Sequence, residues 1–335
     1  MTSHRDLTDP RRAADVDDLE AGLKEPEFER LAIPEALGPA TVVVDDHKIK
    51  RFAFTQDDHH PWHLDASPFD GRRIGHASLL GNDLVQLFTT VYAASRVVGL
   101  HTEEQLWFDS PAFLDEEVTL AGTYTEAYER RGQGYVVMEA TAVGADGRSI
   151  LRHRGIEILR TRPGDVAGRG SATPADADER VTGEVPDGAP AFDADAPAVG
   201  QVLPTLAKTF TTEQAAVFSR IGEYVRNIHN DLALAREGGM RVPIVQGQQQ
   251  YGAIAELLTR AFGTRFLAGG WLRVKFLKTV DVHEPIAVSG IVTGVDDDRV
   301  HLQVWVRRAD GALSAAGWAS APIPSETSVS TETGK

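Results

Sequence analysis

The chain repeats itself, and no other feature limits its fold as strongly. His229-Asn230-Asp231 matches His63-Leu64-Asp65, and Gln246-Gly247-Gln248 stands where His76-Ala77-Ser78 stands in the first half. A helical pattern follows each. Leu79, Leu80, Leu84, Leu87, Phe88, Val91 and Tyr92 recur at three- and four-residue spacing, and Tyr251, Ile254, Leu257, Leu258 and Phe262 share one face in the second half. Strand-like runs come next. Trp271–Phe276 answers Trp107-Phe108, Ile286–Gly290 answers Val118–Gly122, and the hairpin signal Ala145-Asp146-Gly147 returns as Ala309-Asp310-Gly311. His63 to Gly122 is 59 positions and His229 to Gly290 is 61. Such a repeat means two copies of one fold in one chain.

Each copy reads as a helix followed by antiparallel strands, an α+β unit with the helix laid on the sheet. In the first copy, strands are expected at Thr41–Val44, Gln105–Phe108, Glu117–Gly122, Tyr135–Val143 and Ser149–Leu159, with a short helix at Lys48–Phe54. The expected organisation is a disordered or partly helical segment (1–32, with a short helix near Asp15–Leu23), a first copy (33–161), a linker (162–197), a second copy (198–323) and a disordered tail (324–335). The linker assignment rests on its Ala, Asp, Gly and Pro content and on a length unusual for a loop.

Composition limits the partners. The 335 residues are 42% hydrophobic, ample for buried cores, and carry a formal net charge of −15. Nucleic acid and anionic membranes call for basic surfaces, so neither is expected as a partner. There is no cysteine, which excludes a disulfide, a thiolate metal site and a cysteine nucleophile. The opening Met1-Thr2-Ser3-His4-Arg5-Asp6 lacks the apolar segment of a signal peptide. No run approaches the ~20 apolar residues of a membrane span, so a cytoplasmic protein is expected.

Chemistry concentrates between Asp57 and Asp65, where three histidines and three aspartates fall within nine residues. Such a cluster is poor core material and good site material. Asp58 and His63 stand five apart, and Pro61 between them favours a bent loop over a regular helix. A carboxylate and an imidazole around one water suit the addition or removal of water by proton transfer. Two other readings stay open: a solvated polar loop, and a zinc or iron site built from Asp57, Asp58, His59, His60 and His63.

The run Asp58-His59-His60-Pro61-Trp62-His63-Leu64-Asp65 resembles the hydratase motif of the MaoC-like and R-specific enoyl-CoA hydratases, which reads Asp, any residue, Asn, Pro, any residue, His, any residue, Asp. His76-Ala77 is similar to their later His-Gly at a helix start, and Val199-Gly200-Gln201-Val202-Leu203-Pro204 opens the second copy as a MaoC domain opens. The resemblance covers about 35–160 and 198–323. It implies a double hotdog, two fused helix-wrapped antiparallel sheets forming a pseudo-dimer, so that the chain works as a monomer or as a homodimer. It also implies a hydratase or dehydratase acting on a trans-2-enoyl or 3-hydroxyacyl thioester of CoA or acyl carrier protein, with no metal and no cofactor of its own. Asp58 and His63 would hold the water and move the proton. The N–H of Ala77, within Gly75-His76-Ala77-Ser78, would polarise the thioester carbonyl, a donor type that contributes on the order of 3 kcal/mol. Ser78 reads as the helix cap. Trp62 would line the acyl entrance or pack on the loop, and His60 and Asp65 would support the loop.

The departures shape the remaining expectations. His60 replaces the asparagine and Ala77 the glycine. Opposite His229 the aspartate position holds Tyr224, Arg226 stands at the asparagine position, and Glu223 is a carboxylate one position early. The second copy is therefore expected to be degenerate, walling an acyl tunnel with Gln246 and Gly247 at its helix start, unless Glu223 returns toward His229. Within this fold a thioesterase using Asp83 or Glu256 on the helices, and a non-catalytic or tailoring acyl binder, remain the alternatives. Arg273, Lys275 and Lys278 are candidates for CoA phosphates.

Overall fold

Alternating runs of β-branched and aromatic residues build five strands in each half. The computed structural model describes residues 20–97, 99–160, 180–219 and 226–323. The first half supplies β1 (Glu35–Val44), β2 (Leu100–Phe108), β3 (Glu116–Arg130), β4 (Gln133–Gly144) and β5 (Ser149–Arg160). The second supplies β6 (Leu206–Thr209), β7 (Gly270–Phe276), β8 (Pro285–Val295), β9 (Arg299–Arg308) and β10 (Leu313–Pro322). All ten join in one antiparallel sheet, ordered β1-β3-β4-β5-β2-β7-β10-β9-β8-β6. Read outward from the centre, the two halves have the same connectivity. At the seam Gln105 pairs with its equivalent Arg273, and the pairs on either side, Leu106 with Leu272 and Glu104 with Val274, mirror each other as a pseudo-twofold axis requires. The matching hairpins turn at Gly147 and Gly311, whose φ values of 82° and 84° favour glycine.

The helices are α1 (Asp46–Gln56), α2 (Leu79–Val85), α3 (Thr212–Phe218), α4 (Leu232–Glu237), α5 (Gly247–Phe262) and α6 (Thr264–Leu267). α1 is longer than its apolar pattern indicates. The Asp45 carboxylate caps it by accepting from the Lys48 N–H at 2.7 Å, and it stops where Asp57 turns left-handed at φ 51°. α5 is the long central helix, with Tyr251, Ile254, Leu257, Leu258 and Phe262 all buried. Its counterpart differs from expectation. The pattern from Leu79 to Tyr92 predicts one helix, yet α2 ends at Val85 and a 3-10 turn takes over at Gln86–Thr90. The Thr89 and Thr90 hydroxyls bond back to the Gln86 and Leu87 carbonyls at 2.8 Å each, a competition with the helical ladder that apolar periodicity does not report.

Two segments expected to be loose are docked where they are described. Lys24 donates its N–H to the Val91 carbonyl at 2.8 Å, and the Glu20 carboxylate accepts from the Ser95 N–H at 2.8 Å, so residues 20–32 are tied to the body. In the linker, Val181 is buried in a cluster with Trp305 and Ala316, and Phe192 meets Phe262 with ring centroids 5.0 Å apart. The remainder of those segments (1–19 and 162–179), and the tail 324–335, lie outside the described residues. Among the described residues no helix is long and apolar enough to cross a membrane.

The seam generates a stability prediction. Leu106 is fully buried and sits so close to α2 that a Cβ on Gly81 would meet its Cδ1 at 2.9 Å. Leu106→Ala is expected to cost ~3 kcal/mol. The change should appear as a lower urea midpoint at unchanged slope, and a loss below ~1 kcal/mol would mean that the seam relaxes around the hole.

Candidate active site

The sequence delivers Asp58 and His63 to one point in two steps. The left-handed Asp57 ends α1, and Asp58 follows it into the interior. Pro61 then opens a single 3-10 turn, Pro61–His63, capped by the His60 ring, whose Nδ1 accepts from the Trp62 N–H at 3.3 Å. That turn brings His63 Nε2 to 2.9 Å from Asp58 Oδ2, with both side chains buried. His63 Nδ1 lies 3.1 Å from the Ile74 carbonyl. A carbonyl and a carboxylate both accept, so the two contacts use a hydrogen on each ring nitrogen. Asp58 Oδ1 also accepts from the His60 N–H at 3.0 Å. Burial would raise the Asp58 carboxyl, but the His63 hydrogen bond, the His76 and His63 rings and the His60 N–H hold it far below the usual carboxylate range.

His76 joins the pair. Its Nδ1 accepts from the Ser78 N–H at 3.1 Å and lies 3.1 Å from Ser78 Oγ, which leaves the hydrogen on Nε2. Nε2 is 3.7 Å from Asp58 Oδ2. Burial pushes His76 down to about 3, with the charges of His63 and Lys208 acting the same way and Asp58 opposing them. Ser78 thus serves the His76 ring; its side chain does not cap α2. The Ala77 N–H donates to no group among the described residues, and a shallow pocket lined by Gly75, His76, Ala77, Phe108, Pro111 and Leu267 opens beside it.

The loop is braced differently from expectation. Asp65 is exposed, and its carboxylate makes no hydrogen bond or ion pair among the described residues. Arg73 does this work, donating to the His63 carbonyl from Nε at 3.2 Å and Nη2 at 2.8 Å while pairing with Asp46 at 2.8 Å. Trp62 packs with Ile74, Phe113 and Leu267, so it bridges to the second half. His59 is exposed and paired with Asp57 at 3.3 Å, away from the dyad.

The second copy keeps the scaffold. His229 Nδ1 lies 2.8 Å from the Ile244 carbonyl, as His63 does from that of Ile74. Burial lowers His229 to about 4, and no acid pairs with it among the described residues. Arg226 is exposed and paired with Asp231 at 2.5 Å, and Gln249 caps the Gln246 N–H at 3.2 Å beside Gly247. Glu223 and Tyr224 lie outside the described residues.

Two groups of the second half enter the first site. Glu256 of α5 contributes a carboxylate oxygen that lies, with an Asp58 oxygen and a His76 nitrogen, in a set mutually within 4.8 Å. Lys208 of β6 is buried against it at 2.7 Å, and Arg260 pairs with its other oxygen at 2.5 Å. Three such ligand types in one place suit a metal by chemistry, but the Lys208 ammonium already supplies a cation there. The sequence pattern offers Glu256 only as the water-activating carboxylate of a thioesterase, and Lys208 and Arg73 carry no local signal. Asp83 is buried in an ion pair with Lys48 at 2.7 Å, and Arg273 is engaged by Glu103 at 2.7 Å.

No family model and no curated protein matches this sequence. Solved structures do match its fold. A MaoC-like dehydratase aligns with a TM-score of 0.67 at 17% identity, over 91% of this chain and 99% of its own. A putative MaoC domain protein dehydratase from Chloroflexus aurantiacus gives 0.65 at 12% identity, over 89% and 97%. A conserved hypothetical protein of Mycobacterium tuberculosis, described as a double hotdog fold, gives 0.61 at 16% identity, over 89% and 98%. The chain is a double hotdog, the fold found in MaoC-like dehydratases.

His76 gives a pH prediction. Its folded-state value lies below the ordinary ~6.5, so the unfolded chain binds the proton more readily. Its contribution to stability is intact above ~6.5 and is lost as pH falls toward its folded value, at up to ~1.4 kcal/mol per pH unit. Unfolding midpoints measured from pH 7 to pH 4 should fall more steeply for wild type than for His76→Gln; parallel curves would show that His76 protonates freely in the fold.

Proposed function

We propose that this chain is a hydratase or dehydratase, adding water across the double bond of a trans-2-enoyl thioester or removing it from the 3-hydroxyacyl thioester, at a centre in the first half. The observation that carries the reading is the buried 2.9 Å contact of Asp58 with His63, whose far nitrogen is pinned by Ile74. In the hydration direction Asp58 takes a proton from water as the water oxygen bonds to C3 of the acyl group. The double-bond electrons move onto the thioester oxygen, where the Ala77 N–H meets the developing charge. His63 Nε2 then delivers a proton to C2, and the proton on Asp58 returns to His63 across their shared contact. Water is consumed, and both residues end as they began. Because α2 has only seven residues, the Ala77 donor acts through its own N–H more than through a helix dipole. The pocket beside Ala77 would take the thioester end of the substrate, carried on CoA or acyl carrier protein. The burial of Asp83 against Lys48 disfavours it as a water-activating thioesterase residue.

The test is the ultraviolet absorbance of crotonyl-CoA, which falls on hydration. Wild type should show the decay, and Asp58→Asn and His63→Ala should each lower kcat at least ~100-fold with unchanged circular dichroism. Release of free thiol from acyl-CoA without loss of the enoyl absorbance would replace this reading with a thioesterase.

A further inference from the structure

The hydratase reading gives the second half no part in the chemistry, yet a carboxylate of that half stands at the dyad. Glu256 lies in the middle of α5 and is buried. Three atoms mutually within 4.8 Å, from Asp58, His76 and Glu256, share a point no more than about 2.8 Å from each, which is a hydrogen-bond length. The donors and acceptors suit one water. The His76 Nε2–H donates, and the two carboxylates accept. The 3.7 Å from Nε2 to Asp58 Oδ2 is long for a direct bond and fits a bridged one.

We infer that Glu256 completes a three-point water site with Asp58 and His76, so that the second half touches the water that the first half activates. This inference rests on the proposed hydratase reading and adds a catalytic residue to it. The groups facing Glu256 are Asp58 and His76 from the first half, Lys208 from β6 and Arg260 one turn further along α5. Burial raises the Glu256 carboxyl, the Asp58 charge adds to this, and Lys208 and Arg260 pull it back. Asp58 is held low by its own partners. Two carboxylates driven apart in this way divide the work on one water. Asp58 stays ionised as the base, and Glu256 is the first to protonate as pH falls.

The experiment combines crotonyl-CoA kinetics with a high-resolution crystal structure of the wild type. Glu256→Gln keeps the shape and removes the charge. Because it strands the buried Lys208 ammonium, the double variant Glu256→Gln/Lys208→Met is measured beside it. The expected result is a kcat lowered ~10- to 100-fold per folded molecule, with KM changed less than about twofold. The acid limb of kcat/KM should also move to lower pH, a shift that a purely structural role would not produce. Wild-type kcat and an unmoved acid limb in both variants would overturn the inference. If wild type leaves crotonyl-CoA unchanged, the hydratase reading fails on its own and the crystal structure decides the water site. An ordered water in contact with Asp58, His76 and Glu256 supports it; closure of the three groups on each other, or a divalent cation among them, overturns it.

Discussion

The pairing of β2 with β7 holds the site together. Six residue pairs, from Glu103 with Lys275 to Phe108 with Gly270, lock the two halves in one register. That register lays α5 and its neighbours against the last turn of α1. There the second half donates to backbone carbonyls of the helix end, where the intrahelical ladder runs out. Gln214 donates to the Phe54 carbonyl at 2.8 Å, Gln249 to that of Thr55 at 3.1 Å, and Lys208 to that of Asp57 at 2.5 Å. The approach is so close that a Cβ on Gly252 would meet Gln56 Oε1 at 2.3 Å. The turn that aims Asp58 is therefore held by residues some 150 to 190 positions away in the chain. The first copy supplies the dyad and braces His63 through His60, Ile74 and Arg73, and the second half adds the contacts that hold the helix end before Asp58.

The two copies show which part of the site is scaffold. In each, an isoleucine carbonyl holds the histidine, and that isoleucine's N–H bonds to the residue before the histidine, at 3.1 Å for Ile74 to Trp62 and 3.2 Å for Ile244 to Ile228. Among the described residues no acid stands beside His229, yet the clamp is the same, so it belongs to the loop and not to the chemistry. A buried ion pair is different. Its desolvation costs several kcal/mol per ion unless geometry and further hydrogen bonds offset it. At Asp58 the offset is visible in His63, His76 and the His60 N–H. His229, pushed down to about 4 by burial, is a neutral ring on the same clamp.

The repeat, most of the strands and the Asp58–His63 pair were legible because each has a local signature: spaced motifs, alternating apolar residues, and a proline between two ionisable groups. The parts that were not legible depend on long-range contact. Glu256 stands on the polar side of a helix pattern, where any carboxylate might sit, and only the sheet register brings it to Asp58. Lys208 lies on a four-residue strand whose burial is set by its partners. Arg73 follows Arg72 in a glycine loop, and sequence does not say which of the two turns inward. Asp65 misled for the opposite reason. It fills a motif position, but Arg73 already holds the turn, while its counterpart Asp231 caps α4 through the Ala233 and Leu234 N–H groups.

The buried centre also constrains how charge moves in it. Asp58 and His63 form one opposed pair, Glu256 and Lys208 another, and Arg260 stands half-exposed at the rim. In the proposed hydration, Asp58 loses its charge to a water proton as the enolate gains one. The imidazolium then faces the enolate instead of the carboxylate. The number of buried charges stays the same, so the step never places an unpaired ion in a dry volume, where it would be most costly. The Glu256–Lys208 pair matters to that economy because it lets a second carboxylate approach the water without a second net charge. Asp58 owes its low pKa to His63, His76 and the His60 N–H, all of the first half, so what the second half adds at this point is a carboxylate whose charge Lys208 already balances.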